Sequence, residues 1–221
     1  MAGYTRRPEW LKLSALDPTI LNRATKLTRD LKLHTVCESA RCPNRTKCFA
    51  EGTATFMILG NICTRNCTFC AVKHGKPQAP DPQETDHIVQ AVDRLGLRYV
   101  VITSVTRDDL PDGGSSQFAQ TIRAIHRYDP DIAVEVLIPD FQGLASALQT
   151  VVDASPAVLN HNIETVPRLY SEVRPQAQYR RSLDLLKQAK LLDRNLLTKS
   201  GLMLGLGESR EEVIEVMADL R

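Results

Sequence analysis

No apolar run in this chain approaches the roughly 18–20 residues that cross a bilayer. The opening MAGYTRRPEW also lacks the apolar stretch of a signal peptide. Net charge is scarce: 28 Lys and Arg against 26 Asp and Glu leave +2, too little for bulk electrostatics to argue for nucleic acid. Aromatic residues make up 5% of the chain, with a single tryptophan, Trp10. There is no low-complexity segment, and no short repeat beyond an alternation of strand-like and helix-like segments. No nucleic-acid or membrane partner is therefore expected, and the protein is read as cytoplasmic, where thiols stay reduced.

Cysteine is missing everywhere except between positions 37 and 70, where all six occur. CESARCPNRTKC supplies Cys37, Cys42 and Cys48 with spacing C-x4-C-x5-C, and CTRNCTFC supplies Cys63, Cys67 and Cys70 with spacing C-x3-C-x2-C. A disulfide framework is disfavoured, because a 221-residue chain has length enough for its own core. Each run offers three thiolates and neither offers four, whereas a closed zinc site and a cubane [4Fe–4S] cluster both want four ligands. A coordination position is left for something else. Between Cys37 and Lys76, Arg41, Arg45, Lys47, Arg65, Lys73 and Lys76 outnumber the acids Glu38 and Glu51. Two readings stay open: compensation of thiolate–metal charge, or a docking face for an acidic partner.

Residues 1–36 read as an irregular, partly helical lead, with Ile20, Leu21, Ala24 and Leu27 at helical spacing. From TATFMILG onward the chain alternates. TATFMILG, RYVVIT, IAVEVLI, AVLN and TKSGLMLG read as strands, each followed by a helix-period segment, the last opened by a capping box of Ser209 and Glu212. That order means parallel strands with crossover helices. An open doubly wound sheet and a (β/α) barrel or partial barrel compete. Polar motifs just after strands, such as Arg107–Asp108–Asp109, Pro139–Asp140 and Asn160–His161–Asn162, favour the barrel, whose sites gather at strand ends.

CTRNCTFC, with Phe69 before the last cysteine, resembles the signature of radical S-adenosylmethionine enzymes. The preceding C-x4-C-x5-C run, with SVTRDDLPDGG, NHNIETVPRLY and GLMLGLGES, resembles the lipoyl synthase family from about Trp10 onward. The resemblance implies an α/β fold: a partial (β/α) barrel of the radical S-adenosylmethionine type over residues 56–221. An N-terminal extension over residues 1–55 would carry the auxiliary cysteines. It implies two [4Fe–4S] clusters. One, on Cys63, Cys67 and Cys70, would bind S-adenosylmethionine at its open iron and generate a 5′-deoxyadenosyl radical. The other, on Cys37, Cys42 and Cys48, would be consumed as the sulfur source. Two sulfur atoms would enter at carbons 6 and 8 of an octanoyl group linked to a carrier-protein lysine, with two S-adenosylmethionine molecules used per lipoyl group. Partners implied are the octanoylated carrier protein or lipoyl domain, an electron donor such as ferredoxin or flavodoxin, and an iron–sulfur carrier that rebuilds the consumed cluster. A monomer is expected, since a small carrier must reach an open mouth.

In that family a serine in an Arg-Ser-Ser-Tyr motif completes the auxiliary cluster. No such motif occurs here, and the RRSL at Arg180–Leu183 is a poor match. A sixth strand, which the family has, is also not found, so a C-terminal part is expected to be missing, the auxiliary cluster to be bound poorly and little sulfur to be inserted. Gly201, Gly205 and Glu208 form G-x-M-x-G-x-x-E, similar to the superfamily's adenine-pocket motif; a plain strand-to-helix turn is the alternative. Phe69, Thr103, Ser104, Asn160, Glu164 and Gly205 are the expected cofactor contacts. Arg107, Asp108 and Asp109 either hold cofactor or guide the lysine-linked substrate, with a surface ion pair as the bland alternative. Gly113 and Gly114 either admit a carrier peptide or make a turn. The histidines show no ligand spacing and read as structural, with His161 nearest the expected site. Competing functions are another radical enzyme with a second cluster, and a zinc-stabilised binding module.

Overall fold

A computed structural model describes residues 18–39 and 42–221; Trp10, Arg41 and the rest of positions 1–17 and 40–41 lie outside the described residues. The strands are β1 (His34–Thr35), β2 (Thr53–Ile58), β3 (Ile62–Cys63), β4 (Lys73–His74), β5 (Tyr99–Ser104), β6 (Ala133–Leu137), β7 (Val158–Asn160) and β8 (Leu197–Lys199). The helices are α1 (Pro18–Asp30), α2 (Val36–Ser39), α3 (Arg45–Ala50), α4 (Glu84–Leu95), α5 (Ser115–Tyr128), α6 (Ala145–Val152), α7 (Tyr170–Val173), α8 (Tyr179–Leu192) and α9 (Arg210–Asp219).

One sheet has the order β1-β2-β5-β6-β7-β8. From β2 onward every pairing is parallel and each strand lies beside its predecessor. A doubly wound sheet reverses strand order part-way; this one never does. Successive helices α4, α5, α6 and α8 pack side by side over the same face. This is the winding of a partial (β/α) barrel, and it decides between the two architectures the alternation left open.

Residue alternation along each strand divides the two faces. Phe56, Ile58, Val100, Ile102, Val134, Val136 and Leu159 face the helices and pack with Ile88 and Val92 of α4 and Phe118, Ile122 and Ile125 of α5. Each such side chain contributes roughly 1.5–3 kcal/mol on burial. The same strands turn Tyr99, Thr103, Glu135 and Asn160 to the opposite face, where the polar groups collect. Helix punctuation follows the sequence. Gly96 ends α4 in the left-handed region at φ 61°, and the capping box of Ser209 and Glu212 opens α9.

Three features depart from the expectations. β1 pairs antiparallel with β2 and covers that edge. β3 and β4 pair at the base of the second cysteine loop. The expected strand TKSGLMLG is shorter, since β8 takes only Leu197–Lys199. Beyond it the chain keeps a single bridge, Leu202 to Glu164, before Gly205 turns it at φ 98°.

Candidate active site

The second cysteine run leaves β3 at Cys63 and forms a loop over the C-terminal ends of the barrel strands. The Cys63 sulfur accepts the backbone N–H of Thr106, 3.3 Å away, and that of Arg65, 3.4 Å away. Thr64 donates from its backbone N–H and its hydroxyl to the Thr106 carbonyl, and Thr68 N–H donates to Val173. Burial pushes the Cys67 thiol up; Arg174 opposes this, and the neighbouring Cys63 and Cys70 add to it. Cys70 and Phe69 are exposed.

The first run gathers separately beside β2. Cys37 lies on α2, Cys48 on α3, and Cys42 donates its N–H to the Cys37 carbonyl. The Cys37 thiol is raised by burial first, then by Cys42 and Cys48. Cys48 is raised by burial and by Cys42. Each triplet is thus a local set whose members feel one another's charge. Among the described residues no three His, Cys, Asp or Glu stand close enough to close on a metal ion as placed. The donor chemistry fits a cluster held by three thiolates with one iron left open, and not a four-ligand zinc site. The only serine of RRSL, Ser182, is fully buried on α8 and bonds His161, so it faces neither triplet.

The strand ends facing the second loop carry unsatisfied polar atoms. Ser104 Oγ at the end of β5 and Asn160 Oδ1 at the end of β7 are buried without partners, which a polar ligand would satisfy. Thr103, in contrast, already donates to the Leu137 carbonyl at 3.0 Å. Glu164 has φ 67° and a carboxyl raised by burial, with a bond from Asn162 and the charge of Arg174 working the other way. Strained backbone and a buried acid coincide at this position, a combination that clusters at ligand sites but also occurs in structural networks. Gly201 runs alongside: a Cβ there would meet Asn162 Oδ1 at 2.8 Å. Gly205 has nothing within 4 Å of an added Cβ, so its glycine serves the turn. Glu208 accepts the N–H groups of Gly205 and Leu206 and holds that turn.

Arg107–Asp108–Asp109 is split by the structure. Arg107 is buried and doubly bonded to Asp109 at 2.9 Å, with a further bond to the Leu59 carbonyl. Its guanidinium is therefore committed internally and offers nothing to a substrate. Asp108 pairs with Arg65 instead and lines a cleft of about 490 Å³ with Leu110, Pro111, Phe141 and Leu144. Gly113 and Gly114 make a turn, at φ 61° and 89°, and are closely packed: a Cβ would meet Phe141 Cδ1 at 2.9 Å and Leu59 Cδ1 at 2.2 Å. Arg65 is buried, which removes it from any basic docking face.

Two residues were not singled out from sequence. Glu135, in the middle of β6, accepts from Tyr99 Oη at 2.6 Å and Lys199 Nζ at 2.9 Å; the lone acid in IAVEVLI was its signal. Arg174 is buried and donates to the Asn162 and Ile163 carbonyls and to Tyr170 Oη, yet among the described residues its Nε finds no acceptor and no carboxylate forms a salt bridge with it. An unpaired buried guanidinium nitrogen calls for an anionic ligand. His161 is structural: Nδ1 donates to Ile138, Nε2 accepts from Ser182, and burial pushes it down to about 4.

The profile of the radical S-adenosylmethionine superfamily matches residues 57–220. Solved folds agree. Methylornithine synthase superposes with a TM-score of 0.57 at 13% identity, over 89% of this chain and 61% of that one. A cobalamin-dependent S-adenosylmethionine radical enzyme gives 0.53 at 12%, over 76% and 26%. The fold and the three-thiol loop are those of a radical S-adenosylmethionine enzyme. Within that class the chain belongs to the lipoyl synthase family. It is 61% identical to the lipoyl synthase of Caldanaerobacter subterraneus subsp. tengcongensis, over 98% of this chain and 75% of the relative. It is 58% identical to that of Rubrobacter xylanophilus over 99% and 68%, and 58% identical to that of Aquifex aeolicus over 91% and 73%. It is an enzyme of the sulfurtransferase type, and its membership implies a [4Fe–4S] cluster, S-adenosylmethionine, an octanoylated carrier and an electron donor.

Proposed function

We propose that Cys63, Cys67 and Cys70 hold the radical-generating cluster, and that Cys37, Cys42 and Cys48 hold a second, auxiliary cluster. The reaction inserts two sulfur atoms at carbons 6 and 8 of a lysine-linked octanoyl group. When bound, the first of these clusters with S-adenosylmethionine supplies a hydrogen-abstracting radical, and the second supplies sulfide. The observation that carries this reading is the separation of six thiols into two sets of three, only one of which lies over the polar strand ends.

The chain's own groups have distinct tasks. Ser104 and Asn160 give their unpartnered oxygens to the polar part of S-adenosylmethionine, and the free Nε of Arg174 takes its carboxylate. Glu164, oriented by Asn162, accepts from the ribose hydroxyls. Phe69 and the Gly205 turn close the edges of that pocket. The cleft beside Asp108 admits the substrate chain, and half-exposed Asp109, fixed by Arg107, faces the carrier. Residues 1–55 act as the sulfur-donating extension and residues 56–221 as the radical barrel. No described helix is long and apolar enough to cross a membrane, and we read the enzyme as a cytoplasmic monomer. A ferredoxin or flavodoxin reduces it, two S-adenosylmethionine molecules are consumed per lipoyl group, and an iron–sulfur carrier restores the spent cluster.

The test is an anaerobic incubation of the reconstituted chain with S-adenosylmethionine, reductant and an octanoyl-lysine peptide. Sulfur gained by the peptide, read by mass spectrometry together with 5′-deoxyadenosine, is the expected result. 5′-Deoxyadenosine formed while the peptide gains no sulfur would overturn the assignment.

A further inference from the structure

Of the loop bearing the three cysteines, only Cys63 at its start packs against the apolar core, and the span from Thr64 to Cys70 adds no hydrophobic anchor. Its one buried member is charged. Arg65 Nε donates to Asp108 Oδ2 at 2.6 Å and Nη2 to Asp108 Oδ1 at 2.9 Å, while Nη2 also reaches Asp140 Oδ1 at 2.6 Å. Asp108 follows β5 and Asp140 follows β6. The Asp140 side chain is wholly buried and accepts in addition from Gln142 N–H at 3.1 Å and from Arg181 of α8 at 3.3 Å. Two arginines and two aspartates thus close a neutral network that ties the cysteine loop, two strand ends and a helix together. The loop's other ties are backbone bonds to Thr106 and Val173, the Thr64 hydroxyl, which donates to the Thr106 carbonyl at 3.0 Å and accepts from Asp108 N–H at 3.1 Å, and a long bond from Asn66 N–H to Gln176 at 3.5 Å.

We propose that Arg65 is a positioning residue that clamps the cysteine loop onto the ends of β5 and β6, so that its three thiols start near the arrangement a cluster requires. The planar guanidinium is what makes this possible, because its fork spans two carboxylates at once. A lysine keeps the charge but has a single nitrogen. The cluster half of the proposal rests on the reading of Cys63, Cys67 and Cys70 as cluster ligands; the loop half stands on the geometry alone.

The experiment compares the wild-type chain with Arg65→Lys in two ways. Hydrogen exchange of the full cluster-free chain is read in peptides covering residues 64–70 and in peptides of β5 and β6. Iron uptake is read in a Cys37→Ala, Cys42→Ala, Cys48→Ala background, which isolates the second site. Charged hydrogen bonds of this kind predict loop exchange faster by about tenfold to a hundredfold. The iron concentration for half-loading should rise by a comparable factor, with β5 and β6 unchanged. The reduced cluster that forms in Arg65→Lys should also give a broadened electron paramagnetic resonance signal. Loop exchange equal to wild type, an equal acceleration in β5 and β6, or an unaltered signal would each overturn the clamp. If Arg65→Lys does not fold, Asp108→Asn carries the same comparison with a several-fold effect expected. A wild-type chain that binds no iron would refute the cluster reading, while the loop exchange would still decide the clamp.

Discussion

Removing the titration of His161 should flatten the acid side of the stability profile. The ring is fully buried between Ile138 of the segment after β6 and Ser182 of α8. Burial holds it neutral, with a pKa of about 4 against an ordinary 6.5. The sign follows from linkage. Below pH 6.5 the unfolded chain takes up a proton that the folded chain refuses until about pH 4, so stability falls as the pH drops through that window. Between pH 7 and pH 5 the loss works out to about 2 kcal/mol, and towards pH 4 it approaches about 3 kcal/mol. His161→Phe has similar volume and no titration. It takes the ring's bonds from the Ile138 carbonyl and from the Ser182 hydroxyl, which still has Tyr170, at a total cost of about 1–3 kcal/mol at pH 7. The assay is urea denaturation of the full chain at pH 7 and pH 5 with thiols kept reduced. The variant should be less stable at pH 7 but lose about 2 kcal/mol less than wild type on going to pH 5. An identical pH 7-to-5 loss in both chains would refute a neutral buried His161. The site feels the same change, because His161 sits between Asn160 and Asn162 and pins their strand end to α8.

Three further outcomes are expected. Arg174→Met should weaken S-adenosylmethionine binding by about tenfold to a hundredfold, read by calorimetry on the reconstituted chain, since an unpaired buried donor loses its ligand. Gly201→Ala should displace Asn162, whose Oδ1 lies 2.8 Å from the added Cβ; weaker binding with an unchanged circular dichroism spectrum is the signature. Glu164→Gln removes a carboxyl that burial raises. In wild type that group makes stability fall as the pH rises from its ordinary value through its folded value, so the variant should gain relative stability at neutral pH while binding less cofactor; denaturation at pH 5 and pH 8 checks the sign.

What could be read in advance was whatever carries a local period or spacing. RYVVIT, IAVEVLI and the helices QFAQTIRAIHRY and RSLDLLKQAKLL declare themselves through runs and 3.6-residue spacing. The capping box at Ser209 and Glu212 is a local signal and is formed. β1, β3 and β4 are two residues each, too short for any period, and exist only because a distant partner is present. Barrel and doubly wound sheet share the same alternation; strand order distinguishes them, and order is a tertiary property. The cysteine runs were legible because spacing is their whole content. Arg65, Arg174 and Glu135 were not, because a charge in a loop, a turn or a strand reads alike whether solvated or buried. Their meaning lies in Asp140, in an unpartnered Nε and in Lys199, from 64 to 75 positions away for Glu135 and Arg65. For the same reason Arg107 looked available for substrate until its fork was found on Asp109.

The most direct test of two independent three-thiol cluster sites is iron and acid-labile sulfide per chain, measured after anaerobic reconstitution in wild type and in two triple variants. One variant carries Cys37, Cys42 and Cys48→Ala, and the other carries Cys63, Cys67 and Cys70→Ala. The account predicts about four irons on Cys63, Cys67 and Cys70 and up to about four more, held weakly, on Cys37, Cys42 and Cys48, with S-adenosylmethionine cleaved only where Cys63, Cys67 and Cys70 remain. Loss of all iron from the Cys37, Cys42 and Cys48→Ala variant, or cleavage that survives without the second triplet, would contradict it.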